Sequence, residues 1–256
     1  MTRLGIVARL SVLATVFLVL APVQMLASRH RARLAHRIPV QFHRLFLRLF
    51  DIRVAVRGQP PDPGHPTLVL ANHVSWLDIP VMASLLPLSF IAKQEIATWP
   101  IFGFCARLQR CIFLDRNRKA ATAEVNAEVA ERLAGGDAIV LFPEGTTGDG
   151  IRLLPFRSSL VGAARAALED SAHEEIRLQP MALAYVRRNG LPVTRRDMPD
   201  IAWYADMELP PHFLAFAKGG PLDVVVTWGA PIPFGHDSDR KRATAEAEAE
   251  VRRARG

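Results

Sequence analysis

The sequence predicts an α/β fold, with a mostly parallel sheet covered by helices and a hydrophobic, amphipathic helical segment at the N-terminus. Half of the 256 residues are hydrophobic, which is enough for a sizeable core. From Asp51 onward, short apolar strand patterns alternate with helical patterns, as expected of a helix-covered parallel sheet. We therefore expect three parts: an anchor with a basic amphipathic stretch over 1–50, a main domain over 51–236 and a C-terminal surface helix over 237–256.

The first element is an apolar run from Leu10 to Ala27, interrupted by Ser11, Thr15 and Gln24. A membrane-spanning helix needs about 20 such residues, so this run barely qualifies. It could span the membrane, dip in and return, or serve as an uncleaved signal-like anchor. No convincing small-residue cleavage site follows it, so we expect the segment to be retained.

A basic amphipathic stretch comes next. Its apolar stripe at helical spacing comprises Phe42, Leu45, Phe46 and Leu49. A core-facing helix would show the same stripe, but the neighbouring apolar run favours a membrane surface. The arginines interleaved with it are Arg29, Arg31, Arg33, Arg37, Arg44 and Arg48. Because positive charge collects after the apolar run, the positive-inside rule puts the main domain on the cytoplasmic face of the inner membrane.

Seven strands are predicted in the main domain, with helices between several of them. The strands are Arg53–Arg57, Thr67–Ala71, Ser89–Ala92, Cys111–Leu114, Ala138–Phe142, Arg177–Ala184 and Leu222–Trp228. The helices are Ile79–Leu86, Ile101–Leu108, Ala120–Leu133 and Leu160–Glu169. The tail from Ser238 is expected to be a solvated surface helix without chemistry. The two cysteines fit no zinc pattern, so no metal site is expected.

The sharpest motif is Asn72-His73 followed by Asp78, after an apolar strand and before a helical pattern. Histidine suits proton transfer near neutrality, and a carboxylate on its second nitrogen would orient it and stabilise the imidazolium. Residues five apart do not share a helix face, so the pair can meet only through a turn at Val74–Leu77. Alternatively, Asp78 could simply be an N-cap, with Pro80 in the first turn.

A second motif, Phe142–Gly150, also follows an apolar strand. Its glycines, Gly145, Gly148 and Gly150, let backbone N–H groups approach an anion, and the hydroxyls of Thr146 and Thr147 add donors. The alternative is a plain glycine-rich turn. It is not a Walker loop, because no Gly-Lys-Ser/Thr ending follows.

The third motif is Phe113-Leu114-Asp115-Arg116, at another strand end. A guanidinium can hold a phosphate through two parallel hydrogen bonds. Taken alone, Arg116 could equally be a surface charge.

The ordered set of motifs resembles the glycerolipid acyltransferases of the lysophosphatidic acid acyltransferase type. It comprises Asn72-His73 with Asp78, Phe113–Arg116, Phe142–Thr146 and Pro180 in a following strand. The resemblance covers roughly Val69 to Leu183.

The resemblance implies a reaction. His73, oriented by Asp78, would deprotonate a lysolipid hydroxyl that attacks the thioester of acyl-CoA or acyl carrier protein. Arg116, Glu144, Gly145 and Thr146 match family positions associated with holding the acceptor. Glu144 cannot itself favour a phosphate, so it is expected to contact a hydroxyl or orient the arginine. No cofactor, metal or covalent acyl-enzyme is implied.

Two departures bear on the acceptor. Arg110 stands where the family often has glycine, and Met181 follows Pro180 where valine is commoner. The segments Leu153–Ser159 and Trp203–Met207 resemble a bacterial branch whose members acylate lyso-ornithine lipid as well as lysophosphatidic acid.

We expect lysophosphatidic acid as the acceptor, with another lysolipid such as lyso-ornithine lipid as the alternative. A non-catalytic, membrane-tethered lipid-binding protein is less consistent with retention of His73 and Asp78. A serine hydrolase is disfavoured because no Gly-x-Ser-x-Gly elbow occurs. Nucleic-acid binding is disfavoured because the basic excess lies beside the anchor.

Overall fold

The fold is taken from a computed structural model that describes residues 2–30, 32–114, 119–162, 165, 168 and 174–256. Its α-helices are α1 (Arg3–Arg29), α2 (Leu34–Leu49), α3 (Asp78–Ala83), α4 (Pro100–Leu108), α5 (Lys119–Ala134), α6 (Leu209–Lys218) and α7 (Arg240–Arg255). Short 3-10 helices cover Gln94–Thr98, Ser158–Val161 and Met198–Asp200. The strands are β1 (Ile52–Arg57), β2 (Thr67–Ala71), β3 (Ser89–Lys93), β4 (Ile112–Leu114), β5 (Ala138–Leu141), β6 (Glu175–Arg188), β7 (Leu191–Pro192), β8 (Leu222–Trp228) and β9 (Ile232–Gly235).

The strands form one mixed sheet in the order β1-β8-β6-β2-β5-β3-β4, with β7 and β9 paired to β6. The central strand β2 runs parallel to β5 and to β6, so that Val69 lies between Val140 and Gln179. β3 is also parallel to both of its neighbours. β8 runs antiparallel to β6 and parallel to β1. The carboxyl ends of β2, β3, β4 and β5 therefore meet at one edge of the sheet, which we call the carboxyl edge.

The core lies on both faces of the sheet, because β2 is buried on each side and alternates its side chains between them. Val69 packs with α1, α2, α3 and α6 in one cluster. Leu68 packs with α5 and α7 in the other. An all-apolar strand such as Thr67–Ala71 is what a doubly covered parallel strand requires.

The N-terminal helix α1 packs lengthwise on the domain. Ile6 and Leu13 belong to the same core cluster as the sheet, and Arg9 forms an ion pair with Asp51 at 3.2 Å. Leu18, on another face, is 72 % exposed. By length and composition α1 could cross a membrane, a test that buried core helices and N-terminal signal sequences also pass. Residues 1–50 thus share a core with the rest of the chain, although α2 ends beside the expected boundary at Asp51.

The predicted fold class is confirmed, and each of the seven predicted strands is present with small shifts at its ends. Helix α3 ends at Ala83 rather than Leu86, since Pro87 disfavours helical backbone just before it. The predicted helix Leu160–Glu169 lies partly outside the described residues. Helix α6 and strands β7 and β9 were not predicted.

The expectation of a fully solvated C-terminal helix is wrong for one of its faces. Ala243, Ala247 and Val251 of α7 are buried in the second core cluster. Their spacing of four residues forms a stripe of small side chains, which lets the helix lie close to the sheet.

Candidate active site

His73 and Asp78 meet at the carboxyl edge, where β2 gives way to α3. His73 Nδ1 lies 2.8 Å from Asp78 Oδ2. The chain turns between them, and α3 begins at Asp78, so the turn at Val74–Leu77 has the predicted arrangement. The His73 side chain is 20 % exposed, whereas Asp78 is fully buried. A carboxylate on Nδ1 keeps the proton there, so Nε2 carries the free lone pair.

Asp78 is surrounded by donors, and it does not cap α3 with its side chain. Its Oδ2 accepts the backbone N–H of Val74 at 2.7 Å and of Ser75 at 3.0 Å. The Tyr185 hydroxyl donates to Oδ1 at 2.6 Å. Burial, with the negative charge of Asp78, raises the pKa of Tyr185 well above its ordinary value. The tyrosine therefore remains a protonated donor to the buried Asp78 side chain.

The His73 ring is held from its face as well as from its edge. It stacks on Phe142, with ring centroids 3.9 Å apart and planes inclined by 12°. The preceding residue, Asn72, is buried and exchanges two hydrogen bonds with the backbone of Leu183 at 3.0 and 2.8 Å. These contacts fix the end of β2 against its neighbours, so the imidazole has little freedom to leave Asp78.

Glu144 supports the backbone of His73. Its Oε1 accepts the His73 N–H at 2.6 Å, and its Oε2 accepts the Leu154 N–H at 2.8 Å. Burial raises the pKa of Glu144, while these two backbone donors act in the opposite direction. The carboxylate therefore ties the loop after β2 to the loop after β5. Its expected contact with the acceptor stays a prediction, and the geometry gives it a positioning role.

The glycine-rich turn closes around the same loop. Gly145 has a φ of 76°, which an L side chain rarely adopts, and the Gly148 N–H donates to the His73 carbonyl at 2.8 Å. Thr146 is exposed and Thr147 is partly buried, next to these glycines. The predicted acceptor-binding turn thus adjoins His73, and its role in binding stays a prediction.

Arg116 lies outside the described residues, whereas Arg110 can be located. Arg110 precedes β4 and forms an ion pair with Asp137 at 3.0 Å, which precedes β5. Both lie at the amino ends of these parallel strands, the opposite edge from His73. Arg110 has a φ of 59°, in the left-handed region, which explains why glycine suits this position. Arg110 in place of the family's glycine therefore changes a turn distant from His73. The structure gives no direct basis for the expectation that this position indicates the acceptor.

The two segments that resemble the bacterial branch also contact the site. The backbone N–H of Trp203 donates to the Val74 carbonyl at 3.0 Å, and the backbone N–H of Arg157 donates to the Pro143 carbonyl at 2.9 Å. The Trp203–Met207 and Leu153–Ser159 segments therefore border the His73 loop. Tyr185 was missed altogether, because it directly follows the predicted strand Arg177–Ala184, and a tyrosine beside an apolar strand is typical of ordinary core.

Comparisons with known proteins identify the family of the chain. A family model described as Acyltransferase matches residues 53–184. The chain is 41% identical to a lyso-ornithine lipid O-acyltransferase of Brucella abortus, with 91% of this chain and 87% of that protein covered. It is 31% identical to a 1-acyl-sn-glycerol-3-phosphate acyltransferase of Neisseria meningitidis, over 85% and 80% of the two chains. The fold matches the crystal structure of the Thermotoga maritima 1-acyl-sn-glycerophosphate acyltransferase PlsC, with a TM-score of 0.61, 20% identity and coverage of 98% and 97%. The relatives compared above are named as acyltransferases of lysolipids. The chain belongs to the Acyltransferase family.

Proposed function

We propose that the chain transfers a fatty acyl group from an acyl thioester to the free hydroxyl of lyso-ornithine lipid, with His73 as general base. The observation that carries the reaction is the 2.8 Å contact between His73 Nδ1 and a fully buried Asp78. It leaves Nε2 as the basic atom of a side chain that is 20 % exposed. The donor is acyl-CoA or acyl carrier protein, and no cofactor is needed.

In the proposed reaction, His73 Nε2 removes the proton of the acceptor hydroxyl as the oxygen attacks the thioester carbonyl carbon. The C–O bond forms, the C–S bond breaks, and the proton on Nε2 passes to the leaving thiolate. Asp78 stabilises the imidazolium between these steps. Ser75 is fully buried, so it is not a candidate nucleophile, and acyl transfer is direct.

Two considerations support lyso-ornithine lipid as the acceptor. The Brucella relative is named for it and has higher identity than the Neisseria relative, 41% against 31%. The Trp203 segment, which resembles the bacterial branch that includes lyso-ornithine lipid acyltransferases, contacts the loop after His73. This choice reverses the order of acceptors expected from the motifs alone.

Lysophosphatidic acid remains the second candidate. The Neisseria relative is named for the corresponding reaction, and the hydroxyls of Thr146 and Thr147, in the turn beside His73, are donors that suit a phosphate. The two acceptors differ in headgroup chemistry: ornithine carries a carboxylate and an amine, whereas lysophosphatidic acid carries a phosphate.

The test is purified full-length protein with one acyl-CoA and both lysolipids in parallel. We expect a higher kcat/KM with lyso-ornithine lipid; a preference for lysophosphatidic acid would overturn the acceptor assignment. His73→Ala should lower turnover by about 10²–10⁴ with either acceptor, as expected for a positioned general base. If His73→Ala keeps more than about a tenth of the activity, the base assignment fails, because that loss is below this range.

We also propose that residues 1–50 hold the protein at the inner membrane, with the catalytic domain on the cytoplasmic face. Support comes from the exposed apolar side chains of α1 and the arginines that follow it. The full chain should stay with membranes after a high-salt wash. Recovery in the soluble fraction would contradict the proposal.

A further inference from the structure

Helix α4 begins with an exposed apolar tip that the reaction does not use. Ile101 is 68 % exposed, Phe102 49 % and Trp99 38 %, and Pro100 between them is also exposed. No charged residue occurs from Ile96 to Ala106. Single exposed hydrophobic residues are ordinary, but consecutive large ones indicate a surface that something covers.

The tip lies at the carboxyl edge. Strand β3 runs parallel to β5, and the chain leaves its carboxyl end through the 3-10 helix Gln94–Thr98 to reach α4. His73 follows the carboxyl end of β2 at the same edge. The exposed tip and the candidate catalytic histidine are therefore on one side of the molecule.

Helix α4 is also attached to the apolar helix α1. The rings of Phe17 and Phe104 meet edge to face at 6.0 Å, and the Gln24 side chain donates to the Leu108 carbonyl at 2.9 Å. Gln24 is itself only 2 % exposed, so it lies within the packed contact between the two helices. Helix α4 therefore lies next to the apolar environment that surrounds the exposed side chains of α1.

We infer that the α4 tip, Trp99–Phe102, inserts into the lipid bilayer beside α1 and holds the carboxyl edge at the membrane surface. Ile101 and Phe102 supply apolar area, and tryptophan prefers the boundary between acyl chains and headgroups. The absence of charge from Ile96 to Ala106 fits this occupant better than a polar protein partner. A lysolipid could then reach His73 by moving within the membrane.

The first test is tryptophan quenching with the full-length protein in phosphatidylcholine–phosphatidylglycerol vesicles. Acyl chains brominated near the headgroup quench only tryptophans that touch the lipid. The chain has four tryptophans, so the contribution of Trp99 is the difference between wild type and Trp99→Phe. We expect stronger quenching in wild type; equal quenching would overturn the inference.

The second test is kinetic, and it rests on lysolipid acyl transfer as the activity measured. Ile101→Ser combined with Phe102→Ser should lower the rate on vesicle-bound lysolipid at least about tenfold, because burying one large side chain corresponds to that factor in binding. The rate on a short-chain lysolipid below its critical micelle concentration should be unchanged. Leu191→Ser is the control for the loss of exposed apolar surface as such, since Leu191 is 71 % exposed on β7 and lies outside α4.

The outcomes separate the alternatives. Equal loss with both substrates would mean that the tip belongs to the catalytic body, and no loss would mean that it does not bind membrane. If the double variant instead turns a dimer in detergent into a monomer, a second copy of the chain covers the tip. Each of these results overturns the inference. Quenching requires no turnover, so it tests the insertion of the tip even if the proposed acyl transfer activity fails.

Discussion

Tyr185 and Asp78 form a 2.6 Å hydrogen bond within the core, on the side of the carboxylate opposite His73. Asp78 Oδ1 accepts this hydroxyl, while Oδ2 accepts His73 and two backbone N–H groups. The carboxylate therefore has a fixed plane and a full set of donors, although it is fully buried. Tyr185 acts through Asp78, and so it is a positioning residue for His73.

Tyr185→Phe should lower kcat/KM at least about tenfold, because a hydrogen bond to a charged group contributes about 1.5–3 kcal/mol. A carboxylate with one donor fewer attracts the imidazolium proton more strongly. The acid limb of the kcat/KM profile should therefore move to higher pH, a change that loss of packing alone would not cause. Tyr204→Phe, at the other tyrosine of the chain, is the control and should leave the limb in place.

Much of the fold followed from sequence because its signals are local. The all-apolar β2 and the glycines before β5 indicate their elements without knowledge of the partners. The turn between His73 and Asp78 was also predictable. Residues five apart do not share a helix face, so their side chains can meet only if the chain turns between them. By contrast, Tyr185 lies 107 residues from Asp78. Its role depends on β6 lying beside β2, and no local pattern records that pairing.

Glu144→Gln should impair both stability and turnover. Both carboxylate oxygens accept backbone N–H groups, from His73 and Leu154. A glutamine would place its own NH₂ against one of these donors, and a buried unsatisfied donor costs about 1–3 kcal/mol. The urea midpoint should fall, and kcat should fall with it, since the His73 backbone loses its support.

Glu248→Gln is the matched control for Glu144→Gln. Glu248 accepts the Phe156 N–H through one oxygen at 2.8 Å, and an amide oxygen can replace it there. Its other oxygen faces Arg252, in a surface ion pair of small energetic weight. If both variants lose the same stability, Glu144 has no special role at the loop after β2.

The protein should lose stability on acidification through His43 of α2. Burial lowers the pKa of His43 to about 4, and the hydrogen bond to Gln109 opposes this only in part. Because the folded value is depressed below about 6.5, the unfolded chain binds the proton more readily. The stabilisation is present above about pH 6.5 and is lost as pH falls toward 4, by at most about 3 kcal/mol.

Chemical denaturation at several pH values checks this dependence. His43→Gln keeps a donor for Gln109 Oε1, which lies 3.0 Å from His43 Nε2, and cannot titrate. Its stability should change less between pH 7 and pH 4 than that of wild type. His236→Gln removes an exposed histidine and should follow the wild-type curve. A His43→Gln curve parallel to wild type would contradict the assignment.

Arg116→Lys tests whether the arginine motif holds the acceptor headgroup. A guanidinium can grip a phosphate or a carboxylate with two parallel hydrogen bonds, whereas an ammonium offers a point charge. We expect KM for the acceptor to rise several-fold with little change in kcat, the pattern of an interaction made equally in the ground state and the transition state. Arg118→Lys makes the same chemical change two residues away, and like Arg116 it lies outside the described residues. Similar behaviour of the two variants, or an unchanged KM for the preferred lysolipid in Arg116→Lys, would contradict a role of Arg116 in holding the headgroup.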